Sequence, residues 1–142
     1  MSQSHQPFIL YDNQIFDIQR FGGISRYFCE ILRRLNMKKD IAVRYSVNYY
    51  LTTYRLGKHR IPLPRFIFKH YRKQCQNQNK ELSKNLLQQS NKYLFHPTYY
   101  DPYFLKYIGS NPYVITVHDM IHERFPSYFS DASEIIAHKK EV

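Results

Sequence analysis

Three observations predict an α/β fold in which helices flank a parallel β-sheet. Short apolar runs that suit buried strands alternate along the chain with segments of helical periodicity. Loop-forming residues follow each apolar run, as expected where parallel strands lead into crossover connections. The length of 142 residues suits one domain, 1–142. Because such sheets bind ligands outside the carboxyl ends of their strands, the loops there are the places to examine for a site.

The first part of the chain has the clearest strand and helix signals. Phe8–Tyr11 is an apolar run, which predicts a buried strand. After Gly22 and Gly23, apolar residues recur at helical spacing, which predicts a crossover helix over Ile24–Asn36. Its apolar positions are Ile24, Tyr27, Phe28, Ile31, Leu32 and Leu35. Apolar and polar residues then alternate over 41–47, which predicts a second, short strand.

The rest of the chain continues this alternation. The pattern at 65–84 predicts a basic amphipathic helix, with Phe66, Ile67, His70 and Tyr71 opposite its cations. Tyr93–Phe95 and Tyr113–Val117 are short apolar or β-branched runs and predict two more strands. Asp131, with Glu134 three residues later, has the pattern of a capping box that opens a last helix.

The glycine pair Gly22-Gly23 lies between the first strand and the first long helix. Glycine permits close approach to the backbone, and the start of a helix offers free N–H groups and a positive dipole end. This arrangement favours a phosphate, although the same glycines also suit a tight connection. Arg26 in the first turn can assist anion binding or pair with Glu30 four residues on.

Two blocks of the sequence resemble glycosyltransferase family 4. The first block reads Tyr11-Asp12-Asn13-Gln14-Ile15-Phe16 and then Gln19-Arg20-Phe21-Gly22-Gly23-Ile24-Ser25-Arg26-Tyr27-Phe28. The second reads Phe95-His96-Pro97-Thr98-Tyr99-Tyr100 and then Val114-Ile115-Thr116-Val117-His118-Asp119-Met120-Ile121-His122-Glu123. The likeness covers 8–36 and 93–130, whereas 48–92 shows none.

The resemblance implies the N-terminal half of a GT-B enzyme, in which two Rossmann-like domains face each other across a cleft. We therefore expect 1–142 to be a single, incomplete, acceptor-side Rossmann-like domain, truncated at its C-terminal end. Similar enzymes are retaining, as mannosyltransferases are, and transfer a hexose from a nucleotide sugar to a glycan or lipid-linked acceptor. The missing C-terminal domain would carry most donor contacts, so the isolated chain should be nearly inactive. The nucleotide sugar is a substrate, and no cofactor is expected.

The resemblance also implies the catalytic and donor-binding positions. His118 matches the histidine that lies beside the transferred sugar in similar enzymes, so it is the expected catalytic residue. Gly22 and Gly23 would contact the donor diphosphate through their backbone N–H groups. The alternative for His118 and Asp119 is a polar pair that caps the end of a strand.

The acceptor side would be formed by loops at the same edge of the sheet. The expected acceptor or sugar contacts are Asp119, Arg26, His96 and Tyr99. Tyrosine suits a sugar because it has an apolar face and a hydroxyl, although Tyr99 equally suits a half-buried loop.

Neither the histidines nor the cysteines predict a metal site. His118 and His122 would share a metal with Asp119 or Glu123 if this turn were helical, but Pro126 opposes a long helix. Cys29 and Cys75 have no metal-ligand spacing, so they are expected to be reduced thiols.

The charge of the chain is concentrated in one region. The formal net charge is +10, and 33–84 holds fourteen Lys and Arg residues against Asp40 and Glu81. On the predicted basic helix, Arg65, Lys69, Arg72 and Lys73 share one face. This face predicts either attachment to an anionic membrane surface or an ordinary solvated surface.

These observations leave three classes of function open. The two motif blocks favour the acceptor-side half of a glycosyltransferase. A non-catalytic module that binds an anionic membrane or a partner protein is the alternative, and a nucleic-acid-binding protein is less favoured because no such motif occurs. Neither a targeting peptide nor an apolar run of ~20 residues is visible, so we expect a cytoplasmic protein, peripheral on the inner face of the membrane if the basic helix binds lipid.

Overall fold

The computed structural model describes residues 8–38, 42–45, 47, 49–54, 56, 63–89 and 92–141. Its strands are β1 (Phe8–Tyr11), β2 (Ala42–Tyr45) and β3 (Tyr93–His96). Its α-helices are α1 (Gln14–Ile18), α2 (Gly23–Leu35), α3 (Arg65–Leu87), α4 (Ile121–Arg124) and α5 (Ala132–Lys140). Short 3₁₀-helices span Pro102–Lys106 and Pro126–Tyr128. Positions 41 and 46 of the predicted second strand lie outside the described residues.

The three strands form one parallel sheet in the order β2-β1-β3. Phe8 is in register with Ala42 and Tyr93, and β1 therefore occupies the centre. Because all three strands run in one direction, the loops after Tyr11 and His96 meet at the same edge. The predicted α/β class, a parallel sheet flanked by helices and compatible with a Rossmann-like arrangement, is confirmed.

Alternate residues of β1 enter two apolar cores on opposite faces of the sheet. Tyr11 packs with Phe28 and Leu32 of α2, while Leu10 packs with Leu87 at the end of α3. Side chains of successive strand residues point to opposite faces, and both faces here are covered. The all-apolar run that predicted β1 is thus explained by burial on both sides.

The predicted strand at Tyr113–Val117 is largely replaced by an extended segment beside β3. Tyr113 forms a single parallel bridge with Phe95. Phe95 N–H donates to the Pro112 carbonyl, and Val114 N–H donates to the Phe95 carbonyl, both at 2.9 Å. Beyond this step, side chains hold the segment, as when the Thr116 hydroxyl lies 2.8 Å from the His96 ring.

Helix α3 buries a different stripe from the predicted one. Phe66 is 75% exposed, and Tyr71 is also exposed. The buried positions of the helix are Phe68, Cys75, Asn79, Ser83 and Leu87. Polar residues occupy this stripe because they meet buried polar groups: Asn79 Nδ2 donates to Asp17 Oδ1 at 3.0 Å, and Ser83 Oγ donates to Asn13 Oδ1 at 3.1 Å.

Helix α5 forms where the sequence predicts it but without the capping box. In the described structure the Asp131 side chain makes no capping hydrogen bond, although its carbonyl accepts from the Ile135 N–H at 3.1 Å. Ile135 and Ile136 are half-buried. Among the helices of the described ranges, none combines the length and apolar character needed to cross a bilayer.

Candidate functional site

A cavity of about 290 Å³ lies at the carboxyl edge of the sheet. Four parts of the chain form it: the start of α2, the loop after β3, the segment at 118–122, and α5. Its lining includes Ile24, Tyr99, Tyr100, His118, Asp119 and Lys139. We call it the His118 cavity. It occupies the position at which parallel sheets generally bind ligands.

His118 is held in this cavity by aromatic rings. Its backbone N–H donates to the Tyr100 hydroxyl at 3.0 Å, and its ring centroid lies 5.6 Å from those of Tyr27 and Phe28. Burial lowers the pKa of His118, which the neighbouring Asp119 carboxylate partly opposes. The imidazole is therefore mainly neutral at pH 7. Its buried Nε2 has no hydrogen-bond partner among the described residues, nor has Nδ1 of His122.

Asp119 belongs to a polar loop that is fastened to α5. The Lys139 ammonium donates to the Asp119 carbonyl at 3.1 Å and lies 3.3 Å from Glu123 Oε1. It is also 3.7 Å from Asp119 Oδ1. Because the Lys139 side chain is largely buried, it ties Asp119 and the short helix α4 to the last helix. The sequence analysis missed Lys139, since a basic residue in the last turn of a helix is common and gives no signal of its own.

His96 lies behind the cavity wall rather than in the lining. Its Nε2 is 2.8 Å from the Thr116 hydroxyl, and its ring packs 5.3 Å from Phe28, which also contacts His118. Burial, with a smaller contribution from His118, lowers the pKa of His96 to about 4. Tyr99, by contrast, lines the cavity. The structure thus brings Tyr99, His118 and Asp119 together and places His96 as a support for them.

The predicted phosphate-binding glycines begin helix α2. Gly22 is the N-cap, and the end of the Gln19 side chain packs so closely against it that a Cβ atom would require Gln19 to move. Gln19 Oε1 accepts from the Ser25 N–H at 3.0 Å, so one donor at the start of the helix is already used. Ile24, the residue after Gly23, lines the His118 cavity. The start of α2 therefore borders the site, and the phosphate role of the glycines remains a prediction.

The remaining predicted residues lie on helix surfaces. Arg26 is exposed on α2, and the carboxylate of Glu30 accepts from Arg33 Nη2 at 2.8 Å. On α3, the four predicted membrane-surface residues are all exposed: Arg65, Lys69, Arg72 and Lys73. The first three line a second cavity.

The described part of the chain contains no group of three His, Cys, Asp or Glu side chains arranged to hold a metal ion. His118 and His122 line the same cavity, but α4 begins only at Ile121, so the two histidines do not share a helix. Cys29 and Cys75 are buried free thiols.

Comparison with known proteins gives no match to a protein-family model, to a curated protein or to a solved structure.

Proposed function

We propose that this chain is the acceptor-side domain of a retaining glycosyltransferase of the GT-B type. The complete enzyme transfers a hexose from a nucleotide sugar to the hydroxyl of a glycan or lipid-linked acceptor. One observation carries the proposal: neutral His118 lines a cavity at the carboxyl edge of a parallel sheet, beside the start of α2. The two blocks of sequence that resemble glycosyltransferase family 4 both contribute to this cavity.

The chemistry of the cavity suits a sugar. Tyr99 and Tyr100 offer aromatic faces to the apolar side of a sugar ring, and Asp119 offers a carboxylate to its hydroxyls. The unpartnered Nε2 of His118 gains a hydrogen bond when a small movement of the ring brings a hydroxyl within reach. The volume of about 290 Å³ is at the lower end for ligand pockets and suits a single sugar unit.

The donor diphosphate would lie at the start of α2. The positive end of the helix dipole attracts an anion, and the backbone near Gly22 and Gly23 is close to the cavity through Ile24. In this arrangement His118 contacts the transferred sugar, and its carbonyl oxygen stabilises developing positive charge on the sugar ring. Catalysis of this kind depends on positioning and fixed charges, which two facing domains provide.

Binding of sugars to the purified chain tests the proposal. Histidines are labelled with ¹⁵N, and their ring signals are followed by NMR while nucleotide hexoses and methyl hexosides are added. We expect shifts at His118 and His122, and weaker binding after His118→Ala. The matched control is His70→Gln, because His70 is exposed on α3 and packs against Tyr71. Failure of all these sugars to move the His118 signals would contradict the proposal.

A transfer assay tests the requirement for a second domain. We expect no measurable hexose transfer by the purified chain with any nucleotide hexose, because one wall of the cleft is insufficient. Transfer that depends on His118 would show that this domain alone is catalytic and would overturn that part of the proposal.

A further inference from the structure

A second cavity, of about 590 Å³, is formed by the loop at 18–21 and the beginning of α3. Four cationic side chains line it: Arg20, Arg65, Lys69 and Arg72. None of the described residues that line it is Asp or Glu. We call it the basic cavity. The cations come from two separate segments of the chain, so their convergence is a product of the fold.

The loop side of the basic cavity is fixed by backbone hydrogen bonds. The Arg20 carbonyl accepts from the Thr53 N–H at 3.1 Å and from the Thr52 hydroxyl at 3.3 Å. The Arg20 guanidinium lies 4.8 Å from the centroid of the Phe21 ring, within range of a cation–π contact. The backbone at Arg20 is therefore fixed beside the cavity, and the Phe21 ring lies next to its guanidinium.

The helix side of the basic cavity adds a dipole to the side-chain charges. The Leu63 N–H donates to the Tyr50 carbonyl at 3.1 Å, which anchors the entry to α3. The N-cap is Pro64, whose side chain cannot accept a hydrogen bond, and the first turn has no acidic residue. The positive end of this helix is thus uncompensated by local side chains, and Phe68 beneath it is buried.

One carboxylate that interacts electrostatically with the cluster is already hydrogen-bonded elsewhere. Asp17 is stabilised electrostatically by Arg72, but it accepts hydrogen bonds from the side chains of Asn13 and Asn79. Three of the four cations are guanidinium groups, each of which can bind two oxygens of a phosphate. A divalent or diphosphate anion would also relieve the mutual repulsion of the four cations.

We propose that the basic cavity binds a phosphate-bearing group. The same chemistry is present in a soluble phosphorylated compound and in the headgroup of an anionic lipid, and the experiment below separates these sources. The proposal does not rest on the glycosyltransferase function, because it concerns different residues from those of the His118 cavity.

The first arm uses inorganic pyrophosphate as a soluble probe and measures its binding to the purified chain by calorimetry. We expect Arg20→Gln and Lys69→Gln each to weaken binding about tenfold, the usual effect of losing one charge-assisted contact. Lys73→Gln is the matched control, since it removes the same charge from the same helix at a position outside the lining. We expect its affinity to stay within about twofold of the unmodified chain.

The second arm uses sedimentation with vesicles of phosphatidylcholine, with and without phosphatidic acid. The source is a lipid headgroup if the chain binds the phosphatidic acid vesicles and this binding is specific to the lining. In that case Arg20→Gln and Lys69→Gln each reduce the binding, and Lys73→Gln does not. Pyrophosphate binding with the same variant pattern, and no vesicle binding, identifies a soluble ligand. If neither probe binds, or if Lys73→Gln weakens binding as much as Lys69→Gln, the charge acts diffusely and the proposal is wrong.

Discussion

Asp12 and Thr98 join the carboxyl ends of β1 and β3 through one oxygen atom. Asp12 Oδ1 accepts from the Thr98 N–H at 2.8 Å and from its hydroxyl at 2.7 Å. The other oxygen accepts from Gln14 Nε2 at 2.8 Å and from the Tyr103 hydroxyl at 3.2 Å. The carboxylate is fully buried, and burial raises its pKa while these hydrogen bonds oppose the rise. This junction sets the loops that carry the candidate site.

Replacing Asp12 by Ala should lower the free energy of unfolding by about 3 kcal/mol, because several buried donors lose their acceptor at once. Urea unfolding followed by circular dichroism measures the change. Glu30→Ala on the surface of α2 is the control and should have a much smaller effect. A loss for Asp12→Ala no larger than that for Glu30→Ala would mean that the junction adds little to stability.

The two glycines at the start of α2 should respond oppositely to alanine. At Gly22 a Cβ would push the end of the Gln19 side chain away from the Ser25 N–H, so Gly22→Ala should destabilise the protein by about 1 kcal/mol, the usual effect of losing one hydrogen bond. At Gly23 a Cβ meets open space within a helix, so Gly23→Ala should be neutral or stabilising by up to about 1 kcal/mol. Thermal unfolding of the two variants, side by side, measures this contrast. Equal effects would contradict the close packing of Gln19.

Because of His96, the free energy of unfolding should decrease as the solution is acidified. Its pKa is lowered from 6.5 to about 4, so between these values the unfolded chain binds a proton that the folded chain does not. Stability from this residue is therefore lost as the pH falls from about 6.5 to about 4, by about 3 kcal/mol in all. The measurement is urea unfolding across this range for the unmodified chain and for His96→Gln.

The comparison with His96→Gln is needed because buried carboxylates act in the opposite direction. Burial raises the pKa of Asp17 to about 7, so its effect on stability becomes less favourable as the pH rises from about 4. Both proteins share this contribution, and it cancels in the difference between them. An NMR titration that places the His96 midpoint near its ordinary value would contradict the prediction.

Both thiols should resist modification while the protein is folded. Burial, with a smaller contribution from Glu30, raises the pKa of Cys29 to about 12, and burial raises that of Cys75. For Cys29 the thiolate fraction at pH 8 is lower by about a thousandfold than for an exposed thiol. Ellman's reagent should therefore detect both thiols in urea and react slowly with the native chain. A fast native reaction, assigned with Cys29→Ser, would show that one thiol is accessible.

Local patterns predicted the elements whose burial is purely apolar. The run Phe8–Tyr11 and the helical spacing from Ile24 onward each bury side chains against an apolar core, so composition and period sufficed. The stripe of α3 was not predictable in the same way. Asn79 and Ser83 are buried there because they form hydrogen bonds to residues that are distant in sequence. A local periodic pattern gives no information about such partners.

Part of the candidate site was predictable, because some of its residues follow strand ends that the sequence pattern reveals. His118, Asp119 and Tyr99 follow predicted strand ends, and the parallel sheet brings those ends to one edge. Lys139 enters the same cavity from α5, and Arg20 meets α3 across a gap in sequence. These contacts depend on how the helices pack on the sheet. The residue pattern of a single segment does not predict that packing.

The central place of β1 has a consequence for biosynthesis. Phe8–Tyr11 leaves the ribosome before the other two strands, but one of its partners, Tyr93–His96, is made only after the whole of β2 and α3. At ordinary rates of translation this interval is on the order of ten seconds. During that time an apolar strand has no completed sheet to join, so the nascent chain is open to capture by chaperones or to aggregation until Tyr93–His96 emerges.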